Sequence, residues 1–120
     1  MSYVDGLVLA VPTSNKSAYK ELASKMCAVF LENGASRVVE NWGDDVPRGK
    51  TTDFWGAVKA EASETVVFTW VEWPSKAVRD VGMAKVMADP RMQPGATANM
   101  PFDGKRMIFG GFETLLDAKA

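Results

Sequence analysis

The sequence contains no histidine. This absence excludes serine–histidine and cysteine–histidine catalysis, and it excludes the common zinc and non-haem iron sites that depend on imidazole ligands. No spacing of acidic residues indicates a metal site built from carboxylates alone, so we expect neither a metal nor a cofactor. Proton transfer by this chain would fall to Asp, Glu, Lys, Tyr or Cys side chains.

Cysteine and long apolar runs are also scarce. Cys27 is the single cysteine, which excludes an internal disulfide and is typical of proteins from the reducing cytoplasm. The apolar runs fall far short of the roughly 20 residues that cross a bilayer, and the first residues lack the basic start of a signal peptide. We therefore predict a cytoplasmic protein without a membrane partner.

Charge of either sign is balanced and scattered. The chain has 14 basic and 15 acidic residues and a formal net charge of -1. The basic residues do not cluster into a positively charged patch that could bind a phosphate backbone, so nucleic-acid binding is not expected. At 120 residues the chain fits one domain, and we predict a single α+β domain over residues 1–120.

Apolar periodicity divides the chain into four strands and two helices. The predicted strands cover residues 3–11, 37–42, 65–73 and 105–112. The predicted helices run from the capping residues 13–15 to Gly34, and from the Ser75 cap to Ala88. Loops are predicted at 43–50 and 93–99, with a short extended piece at 54–60 and a turn at 61–64. This order is the ferredoxin-like βαββαβ pattern, an antiparallel sheet with two helices on one face.

The strands are apolar on both faces, which two helices on one side cannot cover. In a sheet with one solvent-exposed face, each strand should alternate apolar and polar residues. In the third strand both faces are apolar, with Val66, Phe68 and Trp70 opposite Val67, Val71 and Trp73. We therefore predict a homodimer that buries the second face between two sheets. The alternative is that residues 43–60 fold back over the open face of a monomer.

Polar residues on these strands become informative if both faces are covered, because an enclosed charge is costly unless it is paired or functional. The predicted sheet places the first strand between the third and the last. Asp5 is therefore expected to meet Arg106 or Glu72, with the strand register left open. A structural ion pair is one interpretation and a ligand site is the other.

Aromatic residues accompany the polar set, as in small-molecule pockets that combine apolar walls with a few polar groups. Tryptophans at alternating strand positions are also typical of a core or an interface. Arg79 lies near the start of the second predicted helix, where free amides could assist an anion. The candidate pocket residues are Asp5, Trp42, Trp70, Glu72, Arg79 and Arg106.

Several motifs resemble one bacterial family over nearly the whole chain. They include Tyr3-Val4-Asp5-Gly6, Asp89-Pro90-Arg91-Met92 and the block Met100-Pro101-Phe102-Asp103-Gly104-Lys105-Arg106-Met107. These motifs resemble the YbaA-like family catalogued as domain of unknown function 1428. The resemblance implies a small cytoplasmic protein with the dimeric α+β barrel fold, and it implies no activity.

Three functional hypotheses follow from these observations. The first is a homodimer that binds a small aromatic or anionic molecule between the sheet and the helices. The second is a cofactor-independent monooxygenase or isomerase in which Asp5 or Glu72 is the base and Arg106 stabilises an oxyanion. The third is a structural or stress-associated protein without a ligand.

Overall fold

The computed structural model describes residues 2–92 and 100–120 of the chain. The predicted loop at 93–99 lies outside these ranges. The main elements are β1 (Tyr3–Pro12), α1 (Lys16–Glu32), β2 (Arg37–Trp42), α2 (Phe54–Ala57), β3 (Glu64–Trp73), α3 (Lys76–Ala88) and β4 (Ile108–Glu113). Single turns of 3-10 helix occupy Thr13–Asn15, Pro90–Met92 and Gly104–Arg106.

The four strands form one antiparallel sheet in the order β2-β3-β1-β4. This order confirms the predicted ferredoxin-like α+β fold, with β1 between the third and last strands. The predicted Ser75 cap is also present, because the Ser75 hydroxyl accepts a hydrogen bond from the Val78 amide at 3.1 Å. Among the described helices, none is long and apolar enough to cross a membrane.

Two segments differ from the prediction, and an aspartate cap explains each difference. Residues 54–57 form one helical turn instead of an extended piece, because the Asp53 carboxylate accepts from the Gly56 amide at 2.6 Å. The last strand starts at Ile108, three residues later than predicted. There the Asp103 carboxylate accepts from the Lys105 amide at 3.0 Å and holds residues 104–106 in a helical turn. These caps favour turns where residue type alone indicated strand.

The core lies between the sheet and the two long helices. The sheet contributes side chains that are almost fully buried, among them Leu9, Val11, Val67, Val71 and Trp73. Helix α3 approaches this layer closely at the buried Gly82. A β-carbon there would overlap the main-chain oxygen of Asn33 and the ring of Trp73, so only glycine allows this packing.

The opposite face of the sheet is covered at one end only. Trp55 and Val58, from the segment after β2, pack against Ala10 and Val66. The Trp55 indole nitrogen donates to the Val46 carbonyl at 2.9 Å and fixes this segment in place. Part of the segment 43–60 therefore does fold back over this face, as the sequence allowed, but it covers only one end.

The rest of this face, hereafter the open face, exposes large apolar side chains. Phe68 is 41% exposed, Ile108 45% and Phe112 61%. The ring of Phe68 contacts those of Phe54 and Trp70 edge to face, with centroid separations of 6.0 and 5.6 Å. The open face is thus an aromatic surface that the described part of the chain leaves in contact with solvent.

Candidate functional site

One side of α1 faces β2 and carries an unusual set of residues. Helical spacing brings positions 16, 19, 20, 23, 24 and 27 to this side. A helix that packs on a sheet normally presents an apolar stripe, yet this one includes Lys16, Lys20 and Ser24. Because Ala23 and Ser24 are small, a cavity of about 360 Å³ remains between α1 and strands β2 and β3. We call it the α1 cavity.

A tyrosine and a glutamate meet in the α1 cavity. The hydroxyl of the buried Tyr19 donates a hydrogen bond to Oε1 of Glu40, with the two oxygens 2.5 Å apart. Burial raises the pKa of Tyr19 far above its ordinary value, and the hydrogen bond to Glu40 and its negative charge raise it further. The phenol therefore stays protonated at neutral pH and keeps its proton directed at the carboxylate.

The aromatic wall of the α1 cavity is Trp42. Its ring lies 6.5 Å from that of Tyr19, and the ammonium group of Lys16 lies 5.4 Å from its centroid. This is a cation–π distance, so Lys16 is drawn over the ring at the mouth of the cavity. Phe102 contacts Tyr19 from the other side, edge to face, at 5.7 Å.

Cys27 lines the far end of the α1 cavity. Burial raises the pKa of its thiol, and the negative charge of Glu40 adds to this effect. The thiol is therefore protonated and weakly nucleophilic at neutral pH. It serves the cavity as a small, half-buried wall residue, in agreement with its sequence context.

Of the six residues predicted for a pocket, Trp42 lines the α1 cavity. Asp5 and Arg79 instead form an ion pair in which the carboxylate is buried and the guanidinium is partly exposed. The Arg79 guanidinium donates to the two carboxylate oxygens of Asp5 at 2.7 and 3.0 Å, and the Trp73 indole nitrogen donates to Asp5 at 2.9 Å. The predicted meeting of Asp5 with Arg106 or Glu72 is therefore wrong.

The reason lies in which side of the sheet each residue faces. Asp5 points toward α3, which supplies Arg79, and its β4 neighbour is Gly111. A β-carbon at Gly111 would collide with the Tyr3 hydroxyl, so the glycine makes room for Tyr3 and Arg79 above it. The ring of Tyr3 in turn lies 5.1 Å below the guanidinium carbon of Arg79.

Arg106 belongs to a separate ion pair at the other end of the sheet. Its guanidinium donates to the Glu64 carboxylate at 2.6 and 2.7 Å, to Asp103 at 3.1 Å and to the Lys59 carbonyl at 2.8 Å. The Glu64 side chain is only 5% exposed, and the hydrogen bonds from Arg106 lower its pKa. These hydrogen bonds join the turn before β4 to the start of β3.

Trp70 and Glu72 lie together on the open face, across the sheet from α1. The Trp70 indole nitrogen donates to Glu72 at 2.9 Å, and Arg37 lies 3.8 Å from the same carboxylate. They line a wide surface depression of about 870 Å³, bounded also by Phe68, Phe112 and the residues after β4. The predicted residues thus fall in four separate places.

Sequence reasoning did not select the residues that join Trp42 in the α1 cavity. The signal was present for Glu40, because Val38, Glu40 and Trp42 alternate on one face of β2, which puts the carboxylate beside a packed tryptophan. It was weaker for Lys16 and Lys20, since lysines at helical spacing usually lie on a solvated face. Among the described residues, no cluster of cysteine, aspartate and glutamate side chains is arranged to hold a metal ion.

Solved structures with the same arrangement of elements confirm the predicted fold. SnoaB, a cofactor-independent oxygenase from Streptomyces nogalater, superposes with a TM-score of 0.55 and 14% identity over 97% of this chain and 95% of its own. A putative antibiotic biosynthesis monooxygenase from Nitrosomonas europaea gives 0.52 and 12% identity over 95% and 90%. At these identities the likeness establishes a shared α+β barrel fold.

Proteins related in sequence share a much higher identity with this chain. The uncharacterised protein YbaA of Escherichia coli strain K12 is 58% identical over 117 residues, which covers 98% of this chain and 99% of the relative. YbaA of Shigella flexneri matches to the same extent. The model of a family described as "Protein of unknown function (DUF1428)" matches residues 2–104. The chain therefore belongs to the DUF1428 family, as its motifs indicated.

Proposed function

We propose that this protein binds a small aromatic or anionic molecule in the α1 cavity. The observation that carries the proposal is the cavity itself, whose 360 Å³ fall within the range of about 300–1,000 Å³ found for ligand pockets. Its walls are apolar and aromatic at Trp42, Val38 and Val67, while Lys16 and Lys20 stand at its mouth. Apolar walls with a few placed charges are the usual composition of such a site.

The charged residues of the α1 cavity support binding over simple packing. Lys16 and Lys20 are exposed at the rim, while Tyr19 holds Glu40 by a hydrogen bond within the cavity. A helix that only packed on β2 would gain about 1.5–3 kcal/mol for each large apolar side chain buried at these positions. Small and charged residues stand there instead and leave the space unfilled.

The fluorescent aromatic sulfonate anilinonaphthalene sulfonate (ANS) tests the α1 cavity directly. We expect saturable binding by the wild-type protein, followed by dye fluorescence and by calorimetry. The variant S24F should abolish it, because Ser24 is exposed at the rim and a phenylalanine there fills the cavity without disturbing the core. The variant W42A should weaken it at least tenfold through loss of the aromatic wall.

A matched control separates the α1 cavity from the open face, which could also attract the dye. The variant F112A removes a 61% exposed ring from the open face and should leave the saturable binding intact. Equal dye affinity in wild type, S24F and W42A would contradict the proposal.

A second candidate is a cofactor-independent oxygenase or isomerase that uses the same cavity. Glu40 favours it, because this strand carboxylate faces the cavity and lies within hydrogen-bond distance of Tyr19. The similarity of fold to SnoaB supports this candidate by analogy only. Asp5 and Arg106, which the sequence suggested as a base and an oxyanion donor, are both held in ion pairs, and Glu72, the other suggested base, lies on the open face.

Oxygen uptake with a readily oxidised hydroquinone tests this candidate. If Glu40 removes the substrate proton, the variant E40Q should lose uptake by about 100-fold or more, the usual contribution of a general base. The variant K25M, which changes α1 outside the cavity, is the control. Uptake that E40Q leaves unchanged would contradict a catalytic Glu40.

We further propose that the protein is a homodimer joined through the open face and located in the cytoplasm. The exposed rings of Phe68 and Phe112 support the dimer, since burial of each would stabilise it by about 1.5–3 kcal/mol. The lone Cys27, with its thiol free, supports a reducing compartment.

A further inference from the structure

The ligand proposed for the α1 cavity can be narrowed by the charges that line it. Lys16 and Lys20 are positive, Glu40 is negative, and Tyr19 and Cys27 stay protonated at neutral pH. The lining therefore carries a formal net charge of about +1 with its ligand absent. A ligand with one net negative charge would neutralise it, so an anion is favoured over a cation or a zwitterion.

The position of the two lysines indicates where the negatively charged group of the ligand lies. Lys16 and Lys20 are one helical turn apart on α1, and both are exposed at the rim. A carboxylate at the mouth can accept hydrogen bonds from both ammonium groups. An ammonium group on the ligand would meet repulsion there, and Lys16 already occupies the cation position over the Trp42 ring.

Beside Tyr19 and the exposed Glu40, the α1 cavity offers hydrogen-bond acceptors to a ligand. The proton of Tyr19 is directed at Oε1 of Glu40, so the phenol oxygen can only accept further hydrogen bonds. The carboxylate of Glu40 is itself an acceptor and, in the described part of the chain, Tyr19 is the residue shown donating to it. A ligand hydroxyl placed here would donate into an acceptor-only site and make a charge-assisted hydrogen bond.

The apolar part of the cavity lining comes from both α1 and the sheet. The Trp42 ring forms one wall, and Val38, Ala23 and Val67 form the others. A planar ring would pack against these side chains, with its substituents directed at Glu40 and at the two lysines. A ring, a hydroxyl and a carboxylate would thus each meet a complementary group in the lining of the cavity.

From these complementary groups, and resting on the proposed ligand site, we infer that the α1 cavity takes a hydroxyaryl carboxylate. Its carboxylate binds Lys16 and Lys20, its ring lies against Trp42, and its hydroxyl donates to Glu40. The two lysines and Glu40 are then residues that determine specificity, because each recognises one functional group of the ligand.

Four compounds of similar shape separate the contributions of these groups. We would measure, by calorimetry on the full chain, the affinities of para-hydroxyphenylacetate, of phenylacetate without the hydroxyl, of tyrosol without the carboxylate, and of tyramine with an amine instead. A hydrogen bond to a charged group contributes enough for about a tenfold preference. Para-hydroxyphenylacetate should therefore bind about tenfold more tightly than phenylacetate and tyrosol, with tyramine weakest.

Two variants assign these preferences to residues. K20M should reduce the preference for para-hydroxyphenylacetate over tyrosol, and E40L should remove its preference over phenylacetate. Both residues are exposed, so both variants should fold. K25M, on the same helix but outside the cavity, should leave all four affinities unchanged.

The outcomes distinguish the ligand class from the site. If ANS binds in the cavity but the four compounds bind equally, or none displaces the dye, the site stands and the hydroxyaryl carboxylate is overturned. If tyramine binds best, the charge argument is overturned. If S24F and W42A leave the affinity for ANS unchanged, the proposed ligand site is wrong, and the proposed ligand class is wrong with it.

Discussion

The variant D5A is expected to lower the free energy of unfolding by about 3 kcal/mol. The Asp5 side chain is buried and accepts three hydrogen bonds, two from Arg79 and one from the indole of Trp73. Its removal leaves a guanidinium and a fully buried indole N–H without their acceptor. The estimate is at the lower end for a broken buried pair, because Arg79 is 24% exposed and also contacts Asp80 at 3.1 Å.

Urea unfolding at equilibrium measures this loss through the midpoint, provided that the m-value is unchanged. D5N is the informative companion, since its amide oxygen can still accept from Trp73 while the charge opposite Arg79 is lost. It should fall between wild type and D5A. D80A removes the exposed neighbour of the same arginine and should shift the midpoint only slightly.

An unchanged midpoint in D5A would show that the pair contributes nothing to stability. Asp5 would then return as a candidate for a role in ligand binding, which its buried and fully paired state argues against here.

The strands and long helices could be predicted because each is encoded locally. The branched and aromatic runs of β1 and β3, the alternation of β2, and the helical spacing of α1 and α3 appear within short windows of sequence. The strand order followed from the order of elements. The two local errors, at residues 54–57 and 105–107, arose where an aspartate cap selected a turn in a segment of mixed propensity.

The partners of the buried charges could not be predicted, because they depend on how the elements cross. Asp5 meets Arg79 since α3 runs over that part of β1 and Gly111 allows the approach. Arg106 meets Glu64 since the turn before β4 places it beside the start of β3. Neither contact has a signature in sequence spacing, as the residues are 74 and 42 positions apart.

The α1 cavity escaped prediction for a related reason. A cavity arises from what neighbouring residues fail to fill, and here Ala23 and Ser24 on α1 leave space opposite Glu40 and Trp42 on β2. Each of these residues is unremarkable in its own element. Their chemistry emerges only when the helix lies on the strand.

The second large effect is expected at the open face, where F68D should convert a dimer into a monomer. Phe68 is 41% exposed and contacts the rings of Phe54 and Trp70. In the proposed dimer it is enclosed between two sheets, where an unpaired carboxylate is strongly disfavoured. Two-fold symmetry places the change twice in the same interface, which doubles its cost.

Sedimentation over a range of concentrations tests this expectation. The wild-type protein should have twice the 13.1 kDa mass of the chain, and F68D should have that of one chain. V81D is the matched control, because Val81 is 59% exposed on α3, on the other side of the sheet, and its charge should leave the mass unchanged. A wild-type mass of 13.1 kDa at every concentration, or a dimeric F68D, would refute the proposed interface.

The same variant connects the interface to the ligand site. The α1 cavity and the open face lie on opposite sides of one sheet, so contacts made through the open face would leave the lining of the cavity in place. A monomeric F68D that stays folded should therefore bind para-hydroxyphenylacetate with nearly wild-type affinity. If monomer formation instead abolishes binding, the ligand must lie between the two sheets, where Trp70 and Glu72 would contact it in place of Trp42 and Glu40.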